Sequence, residues 1–207
     1  MYNPPAFKVE DQPVLEAIMA AAPLATLVSN GPDGLAASHL PLLYLATDNL
    51  LIGHFSRAND HWRHLDGAEA LAMFVGREGY VSPSWYASKA AHGKVVPTWN
   101  YEAVHASGRV DLLHDPEDLL ALVSRLTDHH EALRAQPWAV TDAPARYLDG
   151  QLKGIVGLRM TVTKLEGKRK LSQNRPADDR AGVIAGLRQE ADPQAEALAA
   201  AMSEQER

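Results

Sequence analysis

The chain has 207 residues, of which 46% are hydrophobic and 22% are charged, a balance typical of a globular protein with a buried core. Its 20 Lys and Arg against 26 Asp and Glu give a net charge of -6, which disfavours nucleic-acid binding because such affinity comes largely from basic side chains that replace counterions. The absence of cysteine excludes disulfides, zinc-thiolate sites and thiol nucleophiles, so any redox chemistry requires an added cofactor.

We expect neither a signal peptide nor a membrane span. The N-terminal sequence MYNPPAFKVED lacks a basic start followed by an apolar run. No window approaches the roughly 18 to 20 uncharged apolar residues that a span requires. The composition therefore favours a soluble, cytoplasmic protein.

The first half of the chain predicts one helix followed by short strands. Asp11 can cap the helix, Pro13 lies in its first turn, and Pro23 ends it. The sequence NGPDG then predicts a hairpin turn, because Asn-Gly and Asp-Gly tolerate positive φ. The elements that follow the helix are two hairpin strands, a third strand, a short polar helix and a fourth strand, at residues 23–29, 35–46, 50–55, 58–67 and 70–76.

The second half predicts an aromatic loop, two long strands and several helices. Asp115 caps the clearest helix, and Pro116 occupies its first position. The loop, the first strand, this helix, the last strand and a pair of short helices fall at residues 80–97, 98–114, 115–135, 153–167 and 178–207. Short strands joined by turns predict a mainly β fold, an antiparallel barrel with helical additions. We expect one domain over residues 1–175 and a helical tail over 176–207.

No common catalytic or nucleotide-binding fingerprint is present, which removes the commonest enzyme classes. The segment GHFSRANDHW, residues 53–62, is the first candidate ligand site. A strand is predicted to end and a helix to begin there, and free N–H groups at a helix N-terminus suit a phosphate. Arg57 could add a bidentate contact, although a helix cap beside a solvated Arg explains the same pattern.

Two further segments could hold a ligand. Two Trp and three Tyr lie between residues 80 and 101, interleaved with Ser, Asn, Lys and Pro, which suits a flat ligand or a packed core equally. The segment EGKRKLSQNR, residues 166–175, follows a predicted strand and carries four basic residues. It reads as a solvated turn or as a clamp on an anion such as phosphate, and a nucleic-acid patch is a weaker alternative.

The histidines do not predict a metal site. His129 and His130 are adjacent on a helix and cannot face the same point, and no third ligand is evident. We expect His130 to be a hydrogen-bonded histidine on the packed face of its helix. No side chain stands out as a general acid, base or nucleophile, so no catalytic residue is assigned.

Six segments occur in the order found in one family. They are MYNPPAF, NGPDGLAASHLPLL, GHFSRANDHW, YVSPSWYASK, VPTWNYEAVHASGR and EGKRKLSQNR. From Met1 to about residue 190 the chain resembles PaiB-like proteins, described as FMN-binding negative transcriptional regulators. The resemblance implies an FMN-binding split β-barrel similar to that of pyridoxine-phosphate oxidases and flavin reductases. It also implies FMN as cofactor and a homodimer with the flavin at its interface.

The resemblance further implies which residues contact the cofactor. Those matching the two strands beside the isoalloxazine ring are His39, Leu40, Pro41, His54 and Phe55. Those matching the turn that holds the phosphate are Ser56, Arg57 and Asn59. Those matching the aromatic loop, which covers the ring or reaches across the interface, are Ser82, Trp85 and Lys89. Those matching the following strand and the late basic segment are Thr98, Trp99, Asn100, Lys170, Ser172, Gln173 and Arg175.

The chain departs from the family pattern at the phosphate turn, where Ala and Pro are expected and Ser56 and Asp60 stand. A Ser hydroxyl should favour a phosphate, whereas Asp60 adds a negative charge near it. Three functions remain open: a flavin-binding regulator, an NAD(P)H-dependent flavin oxidoreductase, and a haem- or flavin-binding module. We find no convincing helix-turn-helix, so regulation could be indirect, through a metabolite or a partner protein.

Overall fold

The computed structural model describes residues 1–205; residues 206–207, the end of the predicted tail, lie outside the described residues. The strands are β1 (Lys8–Val9), β2 (Leu24–Gly31), β3 (Gly34–Pro41), β4 (Leu43–Leu45), β5 (Leu50–Ser56), β6 (Glu69–Val81), β7 (Thr98–Leu113) and β8 (Ile155–Lys170). The α-helices are α1 (Gln12–Ala21), α2 (Ala87–His92), α3 (Pro116–Glu131), α4 (Ala145–Leu152), α5 (Ala177–Gln189) and α6 (Pro193–Glu204). Among residues 1–205, no helix is both long and apolar enough to cross a membrane.

The strands form one sheet in the order β3-β2-β6-β7-β8-β5-β4, with β1 added to β8. The pairs β2–β3, β2–β6, β4–β5, β5–β8 and β1–β8 are antiparallel. The hairpin of β2 and β3 turns between Gly31 and Gly34, and Gly34 has the positive φ of +112° that such a turn requires. The predicted NGPDG hairpin is therefore confirmed.

The described chain divides into two compact units, each with its own core. Unit 1 contains Met1–Ala21, Val75–Val104 and the residues from Glu166 onward, and unit 2 contains Ala22–Phe74 and His105–Leu165. The long strands β6, β7 and β8 contribute residues to both units.

In unit 2, side chains alternate between the two faces of β2, as a half-buried strand requires. Ala25, Leu27 and Ser29 are buried, and the residues between them are more exposed. Helix α3 covers β5, where Leu122 and Leu126 form an apolar cluster with Ile52. The start of α3 is capped as predicted, because the Asp115 carboxylate accepts hydrogen bonds from the backbone N–H groups of Glu117 and Asp118.

The core of unit 1 is built largely from α5 and α6. Leu187 and Leu198 pack there with Val81, Tyr86 and Leu171. The predicted tail thus supplies much of the apolar interior of this unit. Its separation from residues 1–175 as a distinct region stays a prediction.

Unit 1 also contains a buried network of charges. Glu102, 1% exposed, accepts hydrogen bonds from Arg77 Nε at 2.6 Å and from Arg169 Nε at 2.7 Å. Glu204 lies 3.8 Å from both guanidinium groups. A buried charge needs such partners, because desolvation without them is costly.

Several elements differ from those that the sequence predicted. Strand β8 continues to Lys170 instead of ending at residue 167, because Gly167 and Lys168 pair with Val9 and Lys8 of β1. The late basic segment therefore begins inside a strand and not in a solvated turn. Helix α2 lies within the predicted aromatic loop. His130, expected on the packed face of α3, is exposed.

Candidate functional site

Unit 2 has an open and largely apolar sheet face, here called the outer face. It is formed by Leu24, Thr26, Val28, Asn30, Leu35, Ala37, His39, Pro41, Leu71 and Met73 on strands β2, β3 and β6. Leu35 is 78% exposed and Leu24 64% exposed. A contiguous exposed apolar surface of this kind marks a place where a ligand or another protein binds.

One polar pair lies on this face. Thr26 Oγ1 and His39 Nδ1 are 3.1 Å apart, and these two residues are directly opposite in the hairpin register. His39 and Pro41 are exposed, whereas Leu40 points into the core and is 6% exposed. Of the three β3 residues expected beside the flavin ring, only His39 and Pro41 can therefore touch a ligand on the outer face with their side chains.

The two β5 residues expected near the ring have different surroundings. Phe55 is fully buried and meets the His61 ring edge-on at 5.6 Å between centroids. His54 is half-buried, and burial lowers the pKa of its imidazole. His54 Nδ1 is buried without a hydrogen-bond partner within residues 1–205. A cavity of about 430 Å³ adjoins it, lined by Pro23, Leu24, Pro41, His54, Leu126, Thr127, His130 and Glu131.

In the expected phosphate turn, Arg57 already uses part of its hydrogen-bonding capacity within the chain. Arg57 Nε donates to the Lys153 carbonyl at 2.8 Å, and Arg57 Nη2 donates to the Ile155 carbonyl at 2.7 Å. A guanidinium has five N–H donors, so these bonds leave three of them for a ligand. Arg57 and Lys153 also line a cavity of about 360 Å³ with His114, Pro116, Leu119, Asp149 and Leu152.

The helix predicted after this turn is a short 3-10 helix of five residues, Asp60–His64. Its capping residue, Asn59, accepts a hydrogen bond from the His61 N–H at 3.0 Å. A helix this short, with its cap already made, supplies few free N–H groups to a phosphate. Anion binding here would depend on the Arg57 guanidinium and on the exposed Ser56 hydroxyl.

A buried polar network behind the outer face was not predicted. The His61 ring lies between Ser29 Oγ, 3.0 Å from Nε2, and Ser38 Oγ, 2.8 Å from Nδ1. Asn59 Nδ2 also donates to Ser38 Oγ, at 3.0 Å. Burial, together with the nearby His64, lowers the pKa of His61. The sequence feature that could have predicted this network is the presence of a serine at an inward-facing position of each of two apolar strands.

In unit 1, Lys170 contacts two other residues that the resemblance assigns to the cofactor, Thr98 and Trp99. Its Nζ donates to Thr98 Oγ1 at 2.5 Å and to the Trp99 carbonyl. Burial lowers the pKa of Lys170, with smaller contributions from Lys168 and Arg175. Beside this contact, fully buried Asn100 donates from Nδ2 to Ser172 Oγ at 2.9 Å.

The remaining residues of the late basic segment make internal contacts. Gln173 Oε1 accepts from the Leu171 N–H at 2.7 Å, and Gln173 Nε2 donates to the Arg169 carbonyl. The Arg175 guanidinium lies over the Tyr86 ring, 4.7 Å from its centroid. Burial raises the pKa of the Tyr86 hydroxyl despite this positive charge. These contacts brace unit 1, and only donors not used in them could meet a ligand.

The aromatic loop is held against α5. Trp85 packs on Gly182 and Gly186, where an added Cβ atom would clash with it. The loop is also tied by Asp179, which accepts from the Ser88 N–H at 2.8 Å and from Ser88 Oγ at 2.7 Å. The Ser88 N–H is the main cause of the lowered pKa of Asp179.

Ser82 and Lys89 lie on the same loop near Ser84. Ser82 Oγ accepts from the Ser84 N–H at 3.2 Å, and Lys89 Nζ donates to Ser84 Oγ at 3.1 Å. Trp85 itself is half-buried, so packing accounts for much of its surface. The structure thus brings the predicted residues together in two groups, one in each unit. Their roles in cofactor binding stay predictions.

Solved structures that resemble this chain define its fold. It matches the FAD and heme binding protein from Mycobacterium smegmatis with a TM-score of 0.61 at 16% identity, covering 84% of this chain and 78% of that one. It matches the flavocytochrome Anf3 from Azotobacter vinelandii with a TM-score of 0.56 at 17% identity, covering 84% of this chain and 74% of that one. At these identities the likeness shows the fold alone, and the predicted antiparallel split barrel is confirmed.

The family follows from the sequence comparisons. The family model described as "Putative FMN-binding domain" matches residues 1–164, and the chain belongs to this family. It is also 33% identical to the Protease synthase and sporulation protein PAI 2 of Bacillus subtilis, over 99% of this chain and 97% of that protein. The predicted PaiB-like family and its FMN cofactor are confirmed.

Proposed function

We propose that FMN lies with its ring on the outer face of unit 2 and its phosphate at the Ser56–Asn59 turn. The observation that best supports this proposal is the outer face itself, which is open and largely apolar and contains the polar pair His39–Thr26. A flavin ring needs a flat apolar surface and a few hydrogen-bonding groups at its polar edge. The residues of unit 2 fit both requirements, and FMN would supply any redox chemistry.

The donor set suits the phosphate of FMN. Arg57 keeps three N–H donors, Ser56 offers an exposed hydroxyl, and Lys153 lines the same cavity as Arg57. A guanidinium beside a hydroxyl binds phosphate through charge-assisted hydrogen bonds. Asp149 lines the same cavity, and its negative charge repels a phosphate. The attraction for the phosphate therefore comes from the positive charges of Arg57 and Lys153 together.

The substitution Ala37→Glu tests the position of the ring. Ala37 is exposed on the outer face, so a Glu there adds bulk and charge without disturbing the core. FMN affinity should fall about tenfold or more, measured as quenching of flavin fluorescence. The matched control is Ala121→Glu on the exposed side of α3, which should bind FMN like the unaltered protein. Unchanged affinity in Ala37→Glu would place the flavin elsewhere.

We further propose a homodimer that covers the flavin by pairing two outer faces. Burying Leu24 and Leu35 against a second copy would remove the largest exposed apolar side chains of this face from water. Leu35→Asp should then give a folded monomer in sedimentation velocity, because Leu35 makes little contact within its own chain. A dimer that persists in this variant would exclude the outer face as the interface.

The regulatory role is proposed to be indirect, through a metabolite or partner protein. Helices α5 and α6 form the closest counterpart of a DNA-binding helix pair, but α6 contains two Glu and no Lys or Arg, and its apolar face is buried. A DNA-reading helix needs exposed basic side chains. Binding to duplex DNA should therefore be absent even at low salt; affinity that falls steeply with added salt would show direct binding instead.

An oxidoreductase activity is the second candidate. The cavity of about 430 Å³ adjoins Pro41 and His54, two of the residues expected near the ring, so a small substrate could reach the flavin from there. Anaerobic mixing of the FMN-loaded protein with NADH or NADPH tests this activity. Rapid bleaching of the flavin absorbance would support it, and no reduction by either nucleotide would exclude these donors.

A further inference from the structure

The cavity beside the end of helix α3 in unit 2 has the size and the lining of a small-molecule site. Its volume of about 430 Å³ lies within the range of about 300 to 1,000 Å³ that is usual for such sites. Pro23, Leu24, Pro41 and Leu126 give it a largely apolar wall. Because Leu24 and Pro41 also belong to the outer face, where they are directly opposite each other, the cavity adjoins that face.

The packing of β5 against α3 determines how His54 meets this cavity. Side chains two residues apart share a face of a strand, so His54 lies on the same face of β5 as Ile52. Ile52 packs against Leu122 and Leu126 of α3. His54 therefore faces α3, where Leu126 and Thr127 line the cavity together with it.

The two nitrogens of the His54 ring have different surroundings. Nδ1 is buried and has no hydrogen-bond partner within residues 1–205. The residue as a whole is only half-buried and lines the cavity, so Nε2 is the nitrogen that can meet a ligand there. A buried N–H without an acceptor is rarer in proteins than an unsatisfied acceptor, which favours the tautomer with its hydrogen on Nε2. In that tautomer, His54 presents one hydrogen-bond donor to the cavity.

The charges at the cavity disfavour an anionic ligand. Burial lowers the pKa of His54, so its ring is largely neutral at pH 7. Glu131 lines the cavity, and its carboxylate accepts hydrogen bonds from Arg134 Nε at 2.9 Å and from the Trp138 N–H at 3.1 Å. The described lining includes the exposed His130 but no Lys or Arg. A flavin nucleotide, whose phosphate is negatively charged, therefore does not suit this cavity.

We propose that this cavity binds a small, flat, uncharged molecule with a carbonyl group, such as an aromatic ketone, and that the carbonyl oxygen accepts a hydrogen bond from His54 Nε2. The apolar wall removes the flat part of the ligand from water, and the single donor fixes its orientation. As a substrate class for the oxidoreductase candidate, this ligand rests on that proposed function. Binding itself needs no flavin, so the flavin-free protein can show it.

Titration of the flavin-free protein with acetophenone, followed by ligand-observed NMR, tests the proposal. Ethylbenzene is the matched ligand, because it has nearly the same shape and lacks the carbonyl group. The ratio of the two affinities should be about three- to tenfold higher in the unaltered protein than in His54→Phe, which lacks the ring N–H. His129→Phe is the matched control, since His129 is exposed on α3 and does not line the cavity, and it should keep the ratio of the unaltered protein.

A second variant tests the location without changing His54. Thr127 is half-buried on α3 and lines the cavity, so Thr127→Trp should fill part of it and weaken acetophenone binding about tenfold or more. His54→Phe should itself fold, because it places an apolar ring in an apolar setting and removes the unsatisfied Nδ1.

Three results would each overturn the proposal: no acetophenone binding, the same affinity ratio in His54→Phe as in the unaltered protein, or unchanged binding in Thr127→Trp. Displacement of acetophenone by riboflavin would also overturn it, by showing that the flavin ring occupies the cavity. FMN titration of the same protein tests the flavin site separately. FMN binding without acetophenone binding would contradict the ketone site alone, and the reverse would contradict the FMN site alone.

Discussion

Trp85 packs on Gly186 so closely that a Cβ atom at residue 186 would lie 2.4 Å from Cγ and Cδ2 of its indole ring. A Cβ at Gly182, one helical turn earlier, would lie 2.0 Å from the Trp85 carbonyl oxygen. Helix α5 therefore sets the position of the aromatic loop that the family resemblance assigns to the flavin. Residues beyond the predicted boundary at 175 take part in placing a candidate site residue.

Gly186→Ala should destabilise the protein by about 1 to 3 kcal/mol, because the added methyl group overpacks the contact with Trp85. Urea unfolding followed by tryptophan fluorescence measures this change. Gly150→Ala is the control, since Gly150 lies in helix α4 with open space around its Cα atom. That variant should be stabilised by about 0.5 to 1 kcal/mol through helix propensity. Equal effects of the two substitutions would contradict the packing account.

Glu102→Gln should lower the free energy of unfolding by about 3 to 5 kcal/mol, because it leaves Arg77 and Arg169 without their shared buried carboxylate. Chemical denaturation measures the loss. Glu196→Gln removes an exposed partner of Arg188 at 3.6 Å and should change stability by less than about 1 kcal/mol. A loss of that small size in Glu102→Gln would show that the network is dispensable.

Stability should fall as the pH decreases below the ordinary histidine pKa of 6.5, because burial lowers the pKa of His61 in the folded protein. The unfolded chain then binds a proton that folded His61 does not, so stability rises with pH in this range. His54, whose pKa burial also lowers, acts with the same sign. Unfolding at pH 7 and pH 5.5 should show a smaller decrease in His61→Gln than in the unaltered protein. An identical decrease in both would exclude His61 as a contributor.

Ser56→Ala should weaken FMN binding about three- to tenfold and leave riboflavin binding unchanged, because riboflavin lacks the phosphate. The substitution should not affect folding, since the Ser56 hydroxyl is exposed and accepts only a long bond of 3.4 Å from the Ala58 N–H. Parallel fluorescence titrations with the two flavins measure the difference. If Ser56→Ala weakened the binding of both flavins equally, the phosphate of FMN could not bind at this turn.

The elements that local sequence predicts well are those with local causes. The hairpin at Asn30–Gly34 and the start of α3 at Asp115 follow from turn and capping chemistry within a few residues. The extension of β8 to Lys170 depends on β1, a strand of two residues more than 150 positions away. No local pattern could predict that pairing.

The candidate site was predictable in part. The family resemblance selected His39, Arg57 and Asn59, and the structure places all three in unit 2, with His39 on β3 and the other two in the turn after β5. It could not show that Leu40 and Phe55 point into the core, because that depends on strand register. Nor could it show that the Arg57 guanidinium donates two hydrogen bonds to the carbonyls of residues 153 and 155. These carbonyls come close to Arg57 only because β5 pairs with β8.

Titration of the purified, flavin-free protein with FMN tests the central claim most directly. The account predicts saturable quenching of flavin fluorescence and a shifted flavin absorbance band, with one FMN bound per chain and binding weakened by Ala37→Glu. A protein that leaves both the fluorescence and the absorbance of FMN unchanged would contradict it.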